Sequence, residues 1–252
     1  MKTFLADFKL GILSYGGAWH LIKEKKMWKY YLLPVLISLL LALGVFVLRL
    51  QVHDAIESLL QRTLHYDQWW DWAQWMTGWL IHLSLWILTW YLYYKFQKYI
   101  LLIVLSPVLA YVSEKTEKAL TGADYPFSWG QFFRDIVRGV LLAVRNFTLE
   151  MLITLGLFLL GLIPIFAPFT VIIALLVSWY YYGYSLMDYT NERHKLGLTA
   201  SNRAIQNKKG IAIANGMVFE IIFLVPIIGF VVAPILSTVA ATVAMHDRSL
   251  KA

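Results

Sequence analysis

Three lysines, Lys25, Lys26 and Lys29, stand immediately before the first long apolar run of the chain. The start of a helix presents free N–H groups and the positive end of its dipole, so anions collect there, and nearby ammonium groups add to the attraction. With Trp28 among them, these residues form a candidate substrate-binding set suited to a small oxyanion; anchoring on lipid phosphate is the competing role. A second set shares one inner segment: Glu114 and Glu117 with Arg134, Arg138 and Arg145. Buried charges require partners, so these five are expected to form a network around a pore, or else surface ion pairs on a solvated helix. Glu150 and Glu220 each stand just ahead of an apolar run. At membrane depth they are candidates for proton coupling; at an interface they would be first-turn acids stabilised by the helix dipole.

Other chemistry is absent from the sequence. There is no cysteine, which excludes disulfides, thiolate metal sites and a cysteine nucleophile. The six histidines show no metal-ligand spacing, so no metal and no cofactor are expected. No phosphate loop, nucleophile–base order or catalytic carboxylate pair occurs, and the chain reads as a non-enzyme. The net charge of +7 comes from basic residues flanking apolar segments, which is a topology and lipid signal rather than a nucleic-acid footprint. No cleavable leader is expected among the first 29 residues, which hold six lysines.

The elements that position these residues are membrane helices. The chain has 252 residues, 60% of them hydrophobic and 15% charged, with a mean hydropathy of +0.62. A soluble domain carries about 25% charge. The residues 1–29 are expected to form an amphipathic helix on the inner leaflet, with Phe4, Phe8, Ile12, Tyr15, Trp19 and Ile22 on its apolar face. The run 30–48 is a first span, 49–71 an external loop, and 72–112 a second span with aromatic belts, kinked at Ser106-Pro107 and continuing into the cytoplasm. A helical segment, 113–150, follows on the inside.

Two later apolar regions, 151–187 and 221–245, are interrupted at Pro164 and Pro168, and at Pro226, Gly229 and Pro234. Only 13 residues, Met151 to Ile163, precede Pro164 in this run, about 20 Å of helix, too short to cross a core of about 30 Å. Both regions therefore read as half-depth hairpins joined by the cytoplasmic segment 188–220. Charge agrees: the 49–71 loop holds two of the 22 basic residues and four acids, which places it outside and both termini inside. Broken backbone at depth must be covered by protein, so a homo-oligomer is expected, with Gly156 and Gly161 allowing close helix approach.

Gly11, Trp19, Leu33-Pro34, Glu114 and Glu117 ahead of Leu120-Thr121-Gly122, Asp135 with Arg138, Asp188-Tyr189 with His194-Lys195, and the Pro226 to Pro234 hairpin follow one another in a particular order. In that order the chain resembles the CysZ-type sulfate permeases of the etoposide-induced membrane protein family over nearly its whole length. The resemblance implies an all-α fold of two long transmembrane helices and two hemi-penetrating hairpins. It also implies sulfate import across the cell inner membrane by a homo-oligomer in the lipid bilayer. The family's anion site has an Arg-Arg pair before the first span, and the aligned positions here are Trp28 and Lys29. The alternatives are a permease of this fold for another anion, or a non-transporting structural or stress-related membrane protein.

Overall fold

Residues 2–41, 43–44, 58–59, 62–63, 70–123, 128–225 and 228–250 are described by a computed structural model. The described elements are all helical. They are α1 (Lys2–Glu24), α2 (Met27–Leu41), which opens as a 3-10 turn over Met27–Tyr31, α3 (Asp71–Val104), α4 (Ser106–Thr121) and α5 (Trp129–Gly161). Then follow α6 (Ala167–Arg193), α7 (Leu198–Gln206), α8 (Lys209–Phe223) and α9 (Ile228–Leu250).

The chain divides into two compact units. The smaller, residues 36–100, holds the rest of α2 and most of α3. α3 is one continuous 34-residue helix, and exposed Trp70, Trp72, Trp75 and Trp79 stand at its start. α3 ends at Val104 and α4 starts at Ser106. Pro107 sits in the first turn of α4, where its missing N–H breaks no hydrogen bond. At the other end of α4, Gly122 takes φ 77°, and its N–H closes on the Lys118 carbonyl at 2.9 Å. A side chain is strained at that φ, and the Leu120-Thr121-Gly122 signature supplies the one residue free to adopt it. The external loop expected over 49–71 and the end of the first span lie largely outside the described residues.

In the larger unit α9 is the central helix, with α1, α4, α6 and α8 against it. Among the described residues, α5, α6 and the Ile228–Asp247 stretch of α9 are long and apolar enough to cross a bilayer. A fourth span results if residues 97–104 and α4 count as one broken span.

Three expectations need correction. The arm before Pro164 is not a short one: α5 begins at Trp129 and runs for 33 residues, about 50 Å, because the charged stretch 129–150 is part of the same helix. Pro168 does not split the hairpin either, since it lies in the first turn of α6; the turn itself is 162–166, around Pro164. Pro234 sits inside α9, where the neighbouring turn absorbs it and Thr238 Oγ1 donates to the Pro234 carbonyl at 2.7 Å. The second proline-marked region therefore falls on α8 and α9. Gly229 in the first turn of α9 lies against Phe223, and Pro226 is outside the described residues.

The orientation of α1 also differs from expectation. Its buried side carries Asp7, Gly11, Ser14, Ala18 and Ile22, while Leu5, Ile12, Leu13 and Trp19 are exposed. Small residues face α8 and α9 because they let the helix axes approach closely: a Cβ on Gly11 would stand 2.7 Å from the Ala214 Cβ. Among the large residues of the expected face, only Ile22 is fully buried.

Candidate functional site

The lysines before α2 form an exposed elbow. Lys26 is in the left-handed region, φ 52° and ψ 45°, and no side chain caps the start of the helix that follows. Left-handed backbone in a residue with a Cβ costs about 1–3 kcal/mol and persists where the surroundings impose it. Buried Met27 anchors the turn beneath. The three lysines are not equivalent. Lys25 Nζ donates to Glu24 Oε1 at 2.7 Å, and this ammonium holds the Glu24 carboxyl below its ordinary range. Lys29 Nζ lies 5.3 Å from the centre of the Tyr30 ring. Lys26 Nζ has no partner among the described residues. Trp28 packs edge-on against Trp19, with ring centres 5.4 Å apart, and against Tyr31 at 5.8 Å. The Tyr30 ring in turn meets Tyr111 of α4 at 5.6 Å. The elbow thus carries uncapped N–H groups and ammonium groups on an aromatic base, next to α4.

The five charged residues expected to make one network are distributed over several. Arg138 grips Asp188 with two hydrogen bonds of 2.9 Å, donates to the Leu196 carbonyl at 2.6 Å, and lies 3.7 Å from Glu192. Ser201 Oγ donates a short hydrogen bond to the same aspartate and accepts one of 2.9 Å from Asn191. The cluster ties α5, α6 and α7 together. Glu117, in the polar last turns of α4, accepts from Arg193 Nε at 2.5 Å and stands 2.8 Å from His194 Nε2. Burial penalises its carboxylate, but the Arg193 charge and the His194 bond outweigh that and hold the carboxyl below its ordinary range. Arg145 stacks on Tyr184, 5.6 Å from the ring centre. Among the described residues exposed Arg134 meets Gln131 alone, at 3.0 Å. Glu114 is half-buried on α4. No single ring of Glu and Arg forms among the described residues, because Glu117 faces the end of α6 rather than α5.

Glu150 and Glu220 are not first-turn acids. Glu150 lies in the middle of α5 and is fully buried, accepting from Ser178 Oγ at 2.6 Å; Asn146 donates to Ser185 one turn away at 2.9 Å. Glu220 is buried near the end of α8. Gly161 of α5 faces Thr170 of α6 across the 162–166 turn, whereas nothing lies within 4 Å of a Cβ placed on Gly156. Among the described residues no group of three His, Cys, Asp or Glu side chains is placed to hold a metal ion.

Sequence reasoning misses Arg193 as a partner of Glu117, and Ser178, Ser201 and Asn191 as buried polar partners. Asp188 with Glu192, one turn apart behind a long charge-free run, is a signal that points to a buried cation.

The chain matches the family model described as sulfate transporter CysZ/etoposide-induced protein 2.4 over residues 14–234. The sulfate transporter CysZ of Pseudomonas fluorescens SBW25 is 26% identical over 134 residues, which is 52% of this chain and 52% of that protein. The match therefore spans about half the length of that relative. The sulfate transporter CysZ of Pectobacterium atrosepticum is 24% identical over 241 residues, 94% of this chain and 85% of that protein.

Proposed function

The chain belongs to the sulfate transporter CysZ/etoposide-induced protein 2.4 family, and from that premise we propose that it is a permease carrying a small tetrahedral oxyanion, with sulfate the first candidate, into the cell across the inner membrane. The observation that carries this reading is the elbow. Lys25, Lys26 and Lys29 stand around the uncapped start of α2 with Trp28 stacked beneath, and Glu24 draws on the charge of Lys25. An anion there meets N–H donors, the helix dipole and ammonium groups together. Lys26 is the strongest single contributor, because Lys25 is partly neutralised by Glu24. The single ammonium of Lys29 gives a point charge where a guanidinium would give a two-pronged grip. Both termini face the cytoplasm in this reading. The buried carboxylates Glu150 and Glu220 are its coupling candidates, and a homo-oligomer covers the hairpin turn at Pro164.

Equilibrium binding of radiolabelled sulfate to the detergent-purified protein tests it. Each charged contact contributes about 1.5–3 kcal/mol, so replacing the three lysines by glutamine weakens binding about tenfold or more. Unchanged affinity would assign the lysines to topology and lipid contact. A wild-type protein that binds no sulfate would favour the structural role, for which the outward apolar residues of α1, Leu5, Leu13 and Trp19, are the supporting observation.

A further inference from the structure

Arg145 of α5 is exposed and meets no carboxylate among the described residues, whereas its ring partner Tyr184 of α6 is buried. The guanidinium stands 5.6 Å from the centre of the Tyr184 ring, and Nη1 donates to the Tyr184 hydroxyl at 3.4 Å, longer than an ordinary bond of this kind. Tyr184 packs against Tyr180 at 6.1 Å, and Tyr180 against Tyr181 at 5.4 Å. The acids nearby are turned elsewhere. Asp188 is gripped by Arg138 and accepts from Ser201, and Glu150 is buried against Ser178. A guanidinium carries five donors in a planar fork. Stacking on the ring holds the plane of this fork and engages one donor, which leaves the others to an acceptor from outside the chain. The place of the fork along the helices indicates which acceptor. Arg145 is the last basic residue before the charge-free run 151–187, and Tyr184 lies near the end of that run. The two therefore meet where α5 and α6 both pass from charged to apolar sequence, and Trp179, Tyr180 and Tyr181 supply the aromatic belt of a membrane boundary. Steps of seven residues, two helical turns each, lead from Arg145 to Leu152 and Leu159 on the same face of α5. Both are exposed, with exposed Leu155 beside them.

We propose that Arg145, held on the Tyr184 ring, binds the phosphate of an anionic phospholipid whose acyl chains lie along Leu152, Leu155 and Leu159. The fork offers parallel N–H donors to two phosphate oxygens, a charge-assisted pairing with a geometry that an ammonium does not reproduce. A headgroup of net negative charge is favoured over a zwitterionic one, because the zwitterion brings its own cation to the phosphate. The site belongs to α5 and α6, whereas the lysine elbow belongs to the start of α2, and it does not depend on what the chain carries. One well-placed charged contact of this kind corresponds to a preference of about tenfold for the anionic lipid.

The chain has no cysteine, so Leu152→Cys places a single bimane label on the exposed stripe two turns from Arg145. The full chain is reconstituted in phosphatidylcholine nanodiscs that contain a minor share of brominated phosphatidylglycerol or, in parallel, of brominated phosphatidylcholine. Bromine quenches the label on close contact, so the ratio of the two quenching curves gives the local preference for the anionic lipid. The label at position 152 should report a preference of about tenfold. Arg145→Gln should bring the ratio to about one, and Arg145→Lys, a charge without the fork, should keep only part of it. A label at exposed Ile172 of α6, in place of Leu152, should show no preference. Equal quenching by both lipids at position 152 would overturn the site, as would an Arg145→Gln protein that keeps the preference. Should Arg145→Gln fail to fold, an Arg145→Lys protein with the full preference would overturn the forked grip. Millimolar sulfate that abolishes the preference, where sodium chloride of equal ionic strength does not, would assign the fork to a free oxyanion and overturn the lipid.

Discussion

Replacing Gly183 by alanine adds one methyl group where α6 and α8 cross in backbone contact. A Cβ at Gly183 would stand 2.6 Å from the Ala212 carbonyl carbon and 2.9 Å from its Cα, closer than the 3.0 Å that real Cβ atoms keep. The relation is reciprocal further along the crossing: a Cβ at Gly216 of α8 would stand at the same distances from Trp179 of α6. The obstacle is main chain on both helices, so no side chain can rotate away, and the helices must part by about 1 Å in a region packed as densely as a crystal. Overpacking of this kind costs about 3 kcal/mol, the upper end of its usual range. Alanine returns about 1 kcal/mol through its better helix propensity. The net loss of about 2 kcal/mol lowers the thermal midpoint by roughly 4–8 °C for a chain of this size. Thermal unfolding in detergent measures it, with Gly16→Ala as control. Nothing lies within 4 Å of a Cβ at Gly16, so that variant should gain about 1 kcal/mol. A Gly183→Ala protein as stable as Gly16→Ala would refute the α6–α8 contact.

Three further outcomes follow from the same geometry. Arg138→Leu takes from buried Asp188 the guanidinium that grips it with two hydrogen bonds, and breaking a buried pair in this way costs about 3–5 kcal/mol; unfolding midpoints of wild type and variant check it. Glu117 has its carboxyl lowered in the folded protein, so its contribution is present above the ordinary carboxylate range and is lost as pH falls through the lowered value. The melting temperature of Glu117→Gln should accordingly fall less steeply below about pH 4 than that of wild type. The proposed topology puts both termini and 188–220 inside, so an impermeant maleimide on intact cells should label Ser58→Cys and spare Thr199→Cys. The exposed Thr199 is the suitable reporter because Ser201 is fully buried against Asp188.

What can be read from the residues depends on whether the signal is local. Charge-free runs, the proline-marked turn at Pro164 and the left-handed Gly122 are local, and helices over the described parts of those runs, the 162–166 turn and the α4 end at Gly122 are present. Helix length at α5 escapes a reading that separates the charged residues 129–150 from the apolar run they continue; an arginine does not end a helix. Pro234 looks like a break in one dimension, yet a proline inside a helix is tolerated where tertiary contacts hold both sides. The large apolar residues of α1 suggest one buried face, whereas close helix packing selects the small ones, Gly11, Ser14 and Ala18. Partner choice is least legible. Glu117 pairs with Arg193, 76 residues away, and no spacing rule in one sequence distinguishes that arginine from Arg134, Arg138 or Arg145.

The proposed function turns on the lysine elbow delivering an oxyanion through this protein. Uptake of radiolabelled sulfate into liposomes reconstituted with the purified chain tests it most directly, comparing wild type with the protein carrying Lys25→Gln, Lys26→Gln and Lys29→Gln together. Wild-type uptake should stand well above that of protein-free liposomes, with a drop of about tenfold or more in the triple variant at low sulfate. Wild-type uptake equal to that of empty liposomes, or a triple variant as fast as wild type, would contradict it.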